Sequence, residues 1–157
     1  MRMFLANLGL ALLWAAASGR LNIANLVAGY ALGYLVLALV QPLVGSSRYF
    51  AKVRQVLAFA GYFLYEVVRA NLRVAHDVIT PTHYARPGVV AIPLEPMTDG
   101  DIALLACLVT LTPGTLALEV SPDRRTLFIH AMFIEDPERT CREIKEGIER
   151  RLLELVR

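Results

Sequence analysis

Four side chains in the apolar stretch Gln55 to Ala75 are spaced to act together. Tyr62, Glu66, Arg69 and Arg73 recur at intervals of four, three and four residues, so a helix gathers them into one polar stripe on a greasy cylinder. Inside a membrane such a stripe faces protein or water. A carboxylate there can relay protons or hold a cation. Glu66 can equally neutralise Arg69 one turn on, or lie at headgroup level while the arginines snorkel. The paired reading is preferred, because an acid with an arginine at that spacing usually finds its charge satisfied.

Other reactive residue types lack the company that chemistry needs. His76, Asp77 and His83 suggest a metal site, but no third ligand has regular spacing and all three sit in a proline-rich connection, so they read as solvated linker residues. His130 lies in a strand beside Phe128 and Ala131, which favours a hydrogen-bonded structural histidine over a proton shuttle. Thr110, Thr112, Pro113, Gly114 and Thr115 gather hydroxyls and a glycine at a turn. That turn closes a helix C-terminus, whose carbonyls repel anions, and no P-loop lysine accompanies it, so stopping the helix explains these residues better. Ser121 has no nucleophile-elbow context and no histidine placed with it. Cys107 and Cys141 have no C-x-x-C neighbour and read as reduced and buried. No metal or other cofactor is expected, and nothing here supports an enzyme.

The elements that carry these residues divide the chain in two. Of its 157 residues 56% are hydrophobic, with a mean hydropathy of +0.50, too apolar for an ordinary soluble protein. A net charge of +2 without a dense basic run excludes nucleic acid as a partner. Residues 1–75 read as a membrane region with helices over about 3–18, 21–44 and 55–75. The first has the basic start, apolar middle and small-residue end of a signal peptide, with cleavage near Ala17 as the alternative. Leu21 to Val44 carries no charge, and as a helix it reaches roughly 36 Å, enough for a ~30 Å hydrocarbon core. Gly29 and Gly33 stand one turn apart on it and let another helix approach closely. Such a face wants a neighbour, expected in a partner protein of the same complex. Arg48, Lys52 and Arg54 follow this helix, so the positive-inside tendency places that connection in the cytoplasm. A spanning third helix would put the remainder outside; an amphipathic helix lying in the interface keeps it in the cytoplasm, which is the expectation.

Prolines at 81, 87, 93 and 96 mark a linker over 76–88 and the start of a small domain over 89–157. Val89 to Leu94 reads as a strand, and Thr98 with Asp99 and Asp101 caps a helix running to Leu111. Leu116 to Val120 and Thr126 to Met132 flank Ser121-Pro122-Asp123 as a β-hairpin. Asp136 and Pro137 then open a last helix, whose apolar stripe is Cys141, Ile144, Ile148, Leu152 and Leu155. The order β-α-β-β-α predicts an α+β domain: a ferredoxin-like sandwich lacking its last strand, with Thr126 to Met132 central and both helices on one face. At roughly seventy residues it is marginal alone and gains from docking.

Glu66 to Ala75, Arg86-Pro87-Gly88, Leu104 to Thr115, and Ser121-Pro122-Asp123 followed by Leu127 to Ala131 resemble the E subunit of Mrp-type multisubunit Na⁺/H⁺ antiporters. The resemblance covers nearly the whole chain. It is most specific in Leu-Thr-Pro-Gly-Thr and Ser-Pro-Asp; the leucine-rich helix carries Cys107 where the family usually has Asn. It implies a multi-pass protein of the cell membrane, bound to other antiporter subunits and to the bilayer. Its role would be a non-catalytic accessory in assembling a complex that exchanges Na⁺, or another monovalent cation, for protons. Conduction in such complexes is attributed mainly to larger subunits related to respiratory complex I. Related subunits serve membrane-bound hydrogenases and other respiratory-type complexes, which is the alternative, as is an ion path lined by Glu66.

Overall fold

A computed structural model describes residues 2–44, 48–81 and 84–157, and the chain divides into two compact units, Met1–Gln55 and Val56–Arg157. In the first unit, helix α1 (Arg2–Ala17) ends at Gly19, whose φ of 64° is the left-handed cap that glycine adopts without strain. Asn22 then accepts the Asn25 N–H at 2.8 Å and opens helix α2 (Ile23–Val44). Within α2, Ile23–Gln41 is the one stretch among the described residues long and apolar enough to cross a membrane.

The two helices pack through small residues. Asn7, Ala11 and Ala15, at intervals of four on α1, are buried. A Cβ on Gly29 would fall 2.9 Å from the Ala11 carbonyl, and one on Gly33 would strike the Asn7 side chain. The neighbour of the glycine face is therefore α1 of the same chain, a correction to the expectation of a partner protein. A helical hairpin closed by a tight turn already brings a matching small-residue face alongside, and close van der Waals packing drives such pairs where lipid offers no hydrophobic gain.

Helix α3 runs over Arg48–Ile79, well beyond the expected 55–75. Arg48, Lys52 and Arg54 are helical, not a connection, and His76 and Asp77 belong to the last helical turns, not to a linker. The stretch Arg48 to Ile79 has no proline, its one glycine, Gly61, is tolerated within the helix, and arginine and lysine are good helix formers.

In the second unit, strands β1 (Gly88–Pro93), β2 (Thr115–Val120) and β3 (Thr126–Ala131) form a sheet ordered β1-β3-β2, each edge strand antiparallel to the central β3. Val90 lies opposite Ile129 and Ile92 opposite Leu127, so these four share a face, and a bulge at Ala117/Glu119 interrupts β2. That face carries the core, completed by Leu105, Leu108 and Val109 of helix α4 (Asp99–Leu111) and by Ile144, Ile148 and Leu152. Phe59, Tyr62 and Phe63 of α3 pack against the same cluster. This is why the second unit begins at Val56 and not after a linker at 76–88. The opposite face leaves Val89, Leu116 and Leu118 exposed around His130, whose ring has no hydrogen-bond partner among the described residues, contrary to expectation.

Capping chemistry sets the helix starts. Thr98 and Asp101 form a reciprocal capping box for α4, and Asp136 accepts the Glu138 N–H ahead of Pro137 in α5 (Pro137–Ile144). The expected single last helix is interrupted. A π-helical turn over Lys145–Glu149 separates α5 from α6 (Arg150–Val156). Cys107 is exposed on α4 and Cys141 half-buried, both free thiols, which corrects their reading as buried.

Candidate functional site

The polar stripe of α3 runs alongside the C-terminal domain. Tyr62, Glu66, Arg69 and Arg73 line a cleft of about 120 Å³ against the C-terminal domain, whose opposite wall includes Thr112, Pro113, Gly114 and Thr115 with Thr140 and Glu143 of α5. Two motifs separated by some forty residues, the stripe and the turn after α4, thus meet at one place. An amphipathic helix beside a folded domain turns its polar groups to that domain's polar wall.

Within the cleft, Arg69 and Glu66 come only to 3.9 Å, a loose ion pair with the arginine half exposed and the carboxylate more sheltered. The Tyr62 ring supports the Arg151 guanidinium at 4.0 Å from its centroid, and Phe59 stacks on Phe63 at 6.3 Å. The threonines of the turn act on backbone. Thr112 donates to the Leu108 carbonyl at 3.1 Å, Thr115 to the Val109 carbonyl at 2.6 Å, and Thr110 accepts the Ala117 N–H at 3.2 Å. Gly114 takes φ 86°, and its carbonyl accepts the Met132 N–H at 2.7 Å. The hydroxyls therefore satisfy the last carbonyls of α4 and join the helix end to the sheet.

Ser121, Pro122 and Asp123 form the hairpin loop at another place. The Ser121 hydroxyl donates to the Asp123 carboxylate, which also accepts the Arg125 N–H at 3.2 Å, while Arg124 sits at φ 60°. These bonds, the serine hydroxyl first, hold the Asp123 carboxyl below the usual carboxylate range.

A wider cavity of about 370 Å³ follows at the C-terminal end of α3, lined by Arg73, His76, Asp77, Tyr84, Phe133 and Arg139 among others. Asp77 is buried, correcting its reading as a solvated linker residue. Its carboxylate accepts the backbone N–H groups of Tyr84 and Ala85 and so fixes the chain that leaves α3. His76 stacks on Tyr84 at 6.0 Å. His83, the third member of the considered metal set, lies outside the described residues, among which no three His, Cys, Asp or Glu side chains group as metal ligands.

Two buried polar residues went unread in the sequence. Asn7 donates to the Tyr49 hydroxyl at 2.8 Å, and Tyr49 bonds Tyr30 at 2.7 Å; a lone amide four residues before Ala11 on an apolar helix was the available signal. Glu149 is 1% exposed and accepts the Glu95 N–H at 2.8 Å. Lys145 Nζ approaches its other oxygen to 3.1 Å, without the alignment of a hydrogen bond, and donates to the Pro93 carbonyl. An acid next to the apolar stripe of the last helix was the signal there.

With this geometry in place, comparison with known proteins assigns the family. A family model for a Na⁺/H⁺ ion antiporter subunit matches residues 7–155. The E subunit of the Na⁺/H⁺ antiporter of Bacillus subtilis (strain 168) is 36% identical over 153 residues, covering 98% of this chain and 97% of the relative. That of Alkalihalophilus pseudofirmus is 30% identical over the same shares. Among solved structures, a chain of the membrane-bound sulfane sulfur reductase, an archaeal respiratory membrane complex, superposes with a TM-score of 0.57 at 24% identity, covering 96% of each chain. A chain of the Mrp complex from Dietzia sp. DQ12-45-1b gives 0.51 at 24% identity over 65% of this chain and 96% of that one. These two likenesses show the fold, and the sequence matches show the lineage: the chain belongs to the family of Na⁺/H⁺ antiporter E subunits.

Proposed function

We propose that the chain is the accessory E subunit of a multisubunit antiporter that exchanges a monovalent cation, Na⁺ in the named relatives, for protons across the cell membrane. The family match along residues 7–155 carries this reading. The fold alone does not choose between an antiporter and a respiratory-type complex, because neighbours of both kinds share it. The protein is multi-pass through the α1–α2 hairpin, and its C-terminal domain, a ferredoxin-like sandwich without the last strand, lies in the cytoplasm. Arg48, Lys52 and Arg54 after α2 support that side.

The role is assembly, not catalysis or conduction. Glu66, the residue an ion path would need, lies between α3 and the polar wall of the domain, so neutralising and holding the arginines there suits it better. The Thr110 to Thr115 turn and the Ser121 to Asp123 loop serve the domain's architecture. Extraction in mild detergent should keep the chain in a particle with multi-span subunits, and deleting its gene should deplete that particle. A native-level chain that extracts alone would sink the proposal. In the assembled complex, a Glu66→Arg, Arg69→Glu exchange should retain transport; full assembly with transport abolished would instead favour the ion-path reading.

A further inference from the structure

We infer that α3 lies in the plane of the membrane, its exposed apolar face buried in an anionic lipid surface, with the C-terminal domain carried on its other side. The inference holds whichever complex the chain serves. Leu57, Gly61, Leu64, Val68, Leu72 and Ile79 recur at three-, four- or seven-residue intervals and face one way. Leu57, Leu72 and Ile79 are 68%, 66% and 78% exposed, an apolar strip running roughly 33 Å along the helix. A strip this long on a chain free in water would be a liability.

The opposite side excludes a bilayer-spanning α3. From Phe59 to Asp77 it is applied to the domain: Phe59, Tyr62 and Phe63 on the core, Glu66 and Arg73 along the cleft, Asp77 on the chain leaving the helix. That contact covers about 27 Å of helix, close to the full hydrocarbon thickness. Spanning would carry the neighbouring Arg139, Glu143 and Arg151 into hydrocarbon, where charge is costly. In-plane placement costs none of this.

Charge selects lipid as the occupant. Arg48, Lys52, Arg69 and Arg73 of α3 lie off the apolar strip, with Arg69 half exposed beside it, and Arg54 stands at the strip's N-terminal end, three residues before Leu57. Its two acids, Glu66 and Asp77, are turned to the domain. An apolar strip flanked by cations and free of acids fits anionic headgroups above acyl chains. Only three residues separate α3 from the end of α2, a reach of at most ~14 Å, so α3 starts close to the surface at which a spanning α2 ends.

Spin-label depth in the reconstituted complex tests this. Single cysteines at Leu57, Leu64, Val68 and Leu72, in a chain with Cys107→Ser and Cys141→Ser, are labelled with nitroxide and placed in phosphatidylcholine vesicles with or without phosphatidylglycerol. Collision with oxygen and with a water-soluble nickel chelate is then measured. All four labels should be oxygen-rich and nickel-poor at one shallow depth, and more nickel-accessible when phosphatidylglycerol is left out. Depth that rises and falls along the series means a spanning helix; low access to both reagents means a protein partner; high nickel access means water. Each of these overturns the inference, and indifference to phosphatidylglycerol overturns its electrostatic part. If a label at Leu64 lowers the yield, Tyr65, on the same side and 61% exposed, replaces it.

Discussion

The contacts of single residues give the sharpest expectations. A Cβ at Gly33 has no room because the Asn7 amide occupies it, and the side-chain oxygen of that amide is itself left without a partner among the described residues. Gly33→Leu should therefore destabilise the α1–α2 hairpin by about 1–3 kcal/mol, the usual cost of overpacking, and Asn7→Ala should relieve part of it. Denaturation midpoints of the detergent-extracted single and double variants measure this; a Gly33→Leu chain that is as stable as wild type but loses its partner proteins would show the face pointing outward. At the hairpin loop the prediction concerns pH. With its folded value depressed, Asp123 contributes stability that is fully present above the ordinary carboxylate range and lost as pH falls through that depressed value. Ser121→Ala removes the leading cause, so the Asp123 carboxyl, followed by carbon-13 NMR, should titrate at higher pH than in wild type. An unchanged titration would mean that the backbone N–H of Arg125 suffices.

Elements were legible in the sequence where local chemistry decides them. Thr98 with Asp101, and Asp136 with Pro137, announce helix starts because their caps use only near neighbours, and Pro122-Asp123 announces the hairpin for the same reason. The bulge in β2 was not legible because Leu116, Leu118 and Val120 keep an unbroken apolar alternation across it, and the π turn at Lys145–Glu149 because one extra residue in a helical turn leaves the apolar spacing almost intact. The extent of α3 was missed differently: His76 and Asp77 look like linker residues until the buried Asp77 carboxylate is seen holding the next segment's N–H groups. The π turn brings Glu149 to the end of β1, where it accepts the Glu95 N–H while Lys145 reaches the Pro93 carbonyl. Glu149→Ala leaves that donor without its buried partner and should cost about 1–3 kcal/mol, whereas Glu149→Gln keeps an acceptor and should cost less. Thermal midpoints of the two variants decide; equal losses would show that the charge opposite Lys145, not the acceptor, is what matters.

For the whole molecule, the sequence places the boundary near His76 while the structure places it at Val56, and the difference has a testable consequence. A chain cut at the apparent linker would leave a domain of residues 89–157, whose core of Val90, Ile92, Leu105, Leu127, Ile129 and Leu152 loses the covering side chains Phe59, Tyr62 and Phe63. It would also expose the cleft floor at Thr112 to Thr115 and unseat Arg151 from the Tyr62 ring. Domains of that size bury barely enough apolar surface to offset chain entropy, so the loss of three aromatic side chains falls on a structure with little reserve. A fragment of residues 56–157 keeps all of these contacts, and its remaining liability is the outward strip of α3, which detergent micelles or anionic lipid can cover. We expect the 56–157 fragment, in mild detergent, to unfold cooperatively and resist limited proteolysis, and the 89–157 fragment under the same conditions to be digested far faster and to melt without a clear transition. Equal resistance of the two would show that α3 is a tether laid against an independently stable domain, and not a part of its core.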